Sequence, residues 1–103
     1  MTTLYISEYA DVGRSAGHAV PSASEPFNTD QTVAITAGSL SSNTFASNTR
    51  YVRIHTDNIC SIVFGVSPTA TATNKRMQAG QTEYFNISEG NVGKLKVAVI
   101  INT

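Results

Sequence analysis

Two histidines, one cysteine and seven carboxylates are the groups in this sequence that chemistry would have to use. His18 sits in a Gly/Ala/Pro-rich stretch and His55 on the polar side of an alternating run, and neither has a neighbour in sequence that would orient a relay. A Ser-His-Asp site can assemble from distant positions, but the G-x-S-x-G elbow is missing, as is any strand-to-helix turn to carry it. One Cys and two distant His provide no ligand spacing such as C-x-x-C or H-x-x-x-H. Glu83 and Glu89 flank a strand and its turn, where solvated charge is the default for carboxylates. Gly13 and Gly17 are followed by no Gly-Lys-Ser/Thr, so they make no phosphate cradle. Asn86-Ile87-Ser88 matches a glycosylation acceptor but reads as a chance match, because MTTLYISEYA lacks the basic and apolar regions of a signal peptide. We therefore expect no catalytic residue, no cofactor and no metal.

The elements that would carry these groups are strands. Apolar residues recur with period two, and no window holds an i, i+3, i+4, i+7 stripe. In RYVRIHT, Val52, Ile54 and Thr56 face one way while Tyr51, Arg53 and His55 face the other. After the turn at Thr56-Asp57-Asn58, ICSIVFGV puts Cys60, Ile62, Phe64 and Val66 on one side and Ile59, Ser61 and Val63 on the other. That pattern predicts a central strand covered on both faces. TEYFNI (82–87) and KLKVAVII (94–101) are further strands, separated by a turn at Ser88-Glu89-Gly90-Asn91. TLYISEY (3–9), QTVAIT (31–36) and the short TFAS (44–47) complete the set. Six to eight short strands without a helix predict an all-β fold, an antiparallel β-sandwich of jelly-roll-like form, with residues 1–103 as one domain.

Composition sets bounds on partners. The chain has 103 residues, 41% of them hydrophobic and 14% charged, with formal net charge zero. The charged share is well below the roughly 25% of ordinary domains, and Ser, Thr and Asn fill the difference. Without a net positive field, no nucleic-acid or membrane partner is expected, nor does any run approach the length of a membrane span. Acidic residues gather at the front (Glu8, Asp11, Glu25, Asp30) and basic ones behind (Arg50, Arg53, Lys75, Arg76, Lys94, Lys96), which suggests head-to-tail pairing of copies. Cys60, inside an apolar run, is expected to be a buried, inert thiol.

Two stretches exceed what connections in a small domain need. Residues 11–30 are rich in Gly, Pro, Ser and Ala and predict extended, irregular chain. Residues 67–81, beginning SPTATATNKRMQAG, alternate Thr with Ala and can lie flat as an extended arm. Both are expected to reach beyond their own domain, with Arg14, Phe27, Pro68, Lys75, Arg76 and Met77 as the candidate protein–protein contacts.

The run TRYVRIHTDNICSIVFGVSPTATATNKRMQAGQTEYFNISEG (49–90), together with TTLYISEYADVGR (2–14) and QTVAI (31–35), resembles a family of small, head-associated virion proteins of tailed bacteriophages. The likeness covers nearly the whole chain, and its most distinctive part is F-G-x-x-P-T-A-T followed by T-E-Y-F. It implies a non-enzymatic structural protein that decorates or cements the capsid exterior after synthesis in the host bacterial cytoplasm. The implied partners are the major capsid protein and other copies of the chain, with a homotrimer favoured over a dimer. The other reading is a tail- or fibre-associated module that binds a carbohydrate receptor, with Tyr51 and Tyr84 as stacking surfaces.

Overall fold

The alternation of the sequence becomes two four-stranded antiparallel sheets packed face to face. The computed structural model describes residues 2–10, 12–15, 18–23 and 29–102, with 12–15 and 18–23 as backbone. In chain order the strands are β1 (Thr3–Tyr9), β2 (Val12–Ser15), β3 (His18–Ala23), β4 (Thr29–Ala34), β5 (Leu40–Ser41), β6 (Tyr51–Thr56), β7 (Cys60–Gly65), β8 (Lys75–Met77), β9 (Thr82–Asn86) and β10 (Lys96–Ile101). One turn of 3₁₀ helix at Glu89–Asn91 occupies the predicted turn between β9 and β10.

The first sheet runs β4-β1-β6-β9 and the second β5-β10-β7-β8. This is the strand order of a jelly roll in which β1 holds the position that such folds give to their last strand. As a consequence β1 starts and β10 finishes at the same end. There the Ile35 amide donates to the Thr2 carbonyl and the Ile101 amide to the Thr36 carbonyl, both at 2.9 Å.

The core lies between the sheets, and the period-two pattern decides its membership. Leu4, Ile6, Val33, Val52 and Ile54 point inward from the first sheet, and Cys60, Ile62, Val97 and Val99 from the second. Cross-strand pairs such as Ile6 with Ile54 and Val99 with Ile62 stack them in register. Phe64 and Phe85 meet across the sheets with ring centroids 5.0 Å apart.

Several expectations need correction. TFAS is not a strand; Leu40–Ser41 is, and the chain after it follows β10 irregularly, through bonds from Ser42 to Val97 and from Phe45 to Leu95. Phe45 is nonetheless in the core, which is why its segment looked strand-like. Val66 was expected to face the core but lies past the end of β7, 62% exposed. Of the segment 11–30, expected to be irregular, residues 12–15 and 18–23 form the paired strands β2 and β3.

The largest correction concerns residues 67–81. The arm does not reach outward: it folds back across the outer face of the second sheet. The Ala70 amide donates to Ser39 Oγ at 2.8 Å, Ser41 Oγ donates to the Pro68 carbonyl at 3.4 Å, and Asn102 Nδ2 donates to the Ala72 carbonyl at 3.1 Å. On that face Ser61 and Ala98 are fully buried beside the half-buried Val63 and Ile100, and Ala70 itself is 2% exposed. Thr71 and Asn74 then close a turn, and Lys75–Met77 pair with β7 as its edge strand.

Candidate functional site

The described residues singled out in the sequence each have a definite location. Met77 is 0% exposed and opposite Cys60, so it fills the core and cannot be a surface contact. Lys75, two residues back on the same strand face, lies at the sandwich edge. Its ammonium stands 3.6 Å from Glu83 and 5.6 Å from the Phe85 ring centroid, closing the gap between β8 and β9. Arg76 points outward from the second sheet, opposite Ser61, and Pro68 is half-buried within the folded-back arm. Arg14 belongs to β2 and His18 to β3. Phe27, like Asp11, Gly17 and Glu25, lies outside the described residues. Of the candidate contacts with described side chains, Pro68, Lys75, Arg76 and Met77 form no single patch.

Glu8 is no part of an exposed acidic front either, since it is fully buried. It points inward at the last β1–β4 pair before the hairpin, Glu8 with Thr29. Its carboxyl accepts from Thr49 Oγ1 at 2.6 Å, the Ala46 amide at 2.8 Å and Gln31 Nε2 at 3.0 Å. The Gln31 side-chain oxygen accepts from the Asn43 amide at 2.9 Å. These bonds pin loop 42–49 to the sheet, and among the described residues no buried side-chain polar atom lacks a partner. Sequence reasoning missed this because Glu8 alternates in phase with Leu4 and Ile6, a signal that the expectation of surface charge overrode.

Cys60 is buried, and desolvation raises its thiol above the ordinary value of 9.0, with a smaller opposing contribution from the Thr56 hydroxyl. A thiol held neutral in the core is no nucleophile. Among the described residues, no cluster of three or more His, Cys, Asp or Glu could hold a metal ion, and no helix is long and apolar enough to cross a membrane.

Two features remain that the core does not consume. One is the hairpin of β2 and β3, which lie between β1 and β4 in sequence and pair with each other and, among the described residues, with neither large sheet. The molecule measures 45 × 26 × 20 Å. The other is the outer face of the first sheet, where register aligns two rows. Asp30, Ser7, Arg53 and Tyr84 form one, and Thr32, Tyr5, His55 and Thr82 the next. His55 Nδ1 lies 2.7 Å from Thr82 Oγ1, and Nε2 lies 4.0 Å from the Asp57 carboxylate. Tyr51 and Tyr84 stack on each other with centroids 5.7 Å apart, so they are one aromatic surface and not two. Alternation placed Tyr51, Arg53 and His55 outward, but joining them to Tyr5, Ser7 and Asp30 required the strand register.

In comparisons with known proteins, no family model, no curated protein and no solved structure matches this chain.

Proposed function

We propose that this chain is a non-enzymatic structural component of a tailed-phage particle, a decoration or cement protein that binds the major capsid protein on the capsid exterior. The sequence resemblance supplies the particle, and one structural observation carries the contact mode. Strands β2 and β3 pair with each other and, among the described residues, with no other strand. A strand pair whose backbone bonds are already made meets a neighbour at little ordering cost. Self-association as a trimer would place three such hairpins around one axis, and many weak contacts would then act together over a shell. The folded-back arm is not a projecting element, and Arg14 in β2 is the candidate contact of the original six within the hairpin.

The test uses purified particles. Quantitative mass spectrometry should find the chain in near-stoichiometric amount to the major capsid protein. A variant with residues 10–27 replaced by Asn-Gly, which closes a two-residue hairpin between β1 and β4, should stay folded yet fail to rebind particles stripped of the wild-type chain. Absence from mature particles sinks the reading, and rebinding by the variant sinks the role of the hairpin.

A further inference from the structure

The outer face of the first sheet contains a depression of about 460 Å³, floored by Ser7 and bounded by Tyr5, Asp30, Arg53, His55 and Asp57. Its shape follows from the register. Ser7 is the smallest side chain in its row, flanked by Asp30 on β4 and Arg53 on β6, while Tyr5 rises two residues away on the same strand. Strands about 4.8 Å apart, with same-face residues about 7 Å apart along each, make a cell of this grid similar in size to a sugar ring.

The groups around the cell have unspent hydrogen-bonding capacity. Arg53, Asp30 and the Tyr5 hydroxyl make no side-chain hydrogen bond or ion pair with any other described residue, whereas His55 is oriented by Thr82. A guanidinium donor on one side of Ser7 and a carboxylate acceptor on the other suit a ligand with adjacent hydroxyls, each both donor and acceptor. Tyr5 is 41% exposed, and Tyr84, 50% exposed and braced by Tyr51, lies directly opposite Arg53. An aromatic surface beside polar groups accepts the C–H face of a sugar while the hydroxyls are bonded. Charge narrows the class: one guanidinium stands against two carboxylates, Asp30 and Asp57, which disfavours phosphate, sulfate or a nucleotide.

We infer that this depression is a binding site for a neutral pyranose, with Tyr5 as the apolar wall, Arg53 as donor and Asp30 as acceptor. The inference goes beyond the decoration role and does not depend on it, since a sugar site on an outward sheet face works equally on a head or a tail.

The test is a ¹H–¹⁵N titration of the wild-type chain with D-glucose, D-galactose, D-mannose and N-acetyl-D-glucosamine, one at a time. At least one should shift the amides of residues 5, 7, 30, 32, 53 and 55 saturably, with a Kd in the millimolar range expected for about a dozen non-hydrogen atoms. Tyr5→Ala and Arg53→Ala should each weaken that sugar by about tenfold or more, with the rest of the spectrum reporting that the fold is intact. Val66→Ala, at an exposed position after β7, should change nothing. No saturable shift at these amides up to about 100 mM of any of the four sugars overturns the site. So do shifts that map elsewhere, or binding that survives both substitutions.

Discussion

The arm at 67–74 and the hairpin at 12–23 lie in the two stretches legible in the sequence as docking segments, both poor in large apolar residues, yet the fold uses them in opposite ways. The arm has a place prepared on its own sheet. Ser39, Ser41 and Asn102 supply hydrogen bonds, and Ala70 is the one residue of the Thr/Ala run that is buried. The hairpin pairs with itself and with neither large sheet, and its root is already secured by the Glu8 bonds to loop 42–49. Polar composition is therefore no guide to whether a segment leaves the body. What decides is whether the body offers a complementary face and partners for its backbone.

That contrast can be broken by measurement. Glu8→Ala, at the root of the hairpin, should be the most damaging change. Three donors lose their acceptor inside the sandwich, and a loss of roughly 4 kcal/mol in urea-unfolding stability is expected. Ala70→Asp places a carboxylate at the buried point of the arm; it should cost about 3 kcal/mol, seen as a fall on the order of 15 °C in the thermal midpoint. An unchanged midpoint would mean that the arm is not seated as described.

Asn102→Ala removes the amide that ties the Ala72 carbonyl to Ser61 Oγ, at 3.1 and 2.7 Å, and should cost about 1 kcal/mol. Replacing residues 10–27 by Asn-Gly should alter the unfolding free energy by less than about 1 kcal/mol. A larger loss would show that the hairpin supports the sandwich and is not spare. Cys60 supplies the finest probe. Its raised thiol pKa means that iodoacetamide should leave the folded chain unlabelled near neutral pH and label it on unfolding. Because the folded value lies above the unfolded one, this contribution to stability is complete below the ordinary thiol value of 9.0 and is lost as pH rises through the folded value.

Period-two alternation was enough to find β1, β6, β7, β9 and β10 and to sort the two faces of β6, β7 and β10, because a side chain's face on a strand depends only on local geometry. It also placed Cys60 in the core and Arg53 and His55 outside. It failed where a residue's surroundings come from distant chain. Met77 follows Lys75-Arg76 and reads as exposed, yet pairing with β7 inserts it opposite Cys60. Glu8 reads as surface charge, yet Thr49 and Ala46, some forty residues on, enclose it.

The all-β class, the in-or-out phase of β6, β7 and β10 and the inertness of Cys60 thus follow from the order of residues alone, since each rests on spacing within a few positions. The jelly-roll order, the seating of the arm, the self-paired hairpin and the alignment of Tyr5, Ser7, Asp30 and Arg53 were decided by tertiary structure. All of these depend on register between strands far apart in the chain, and a shift of one residue in pairing would turn every side chain on a strand to the opposite face.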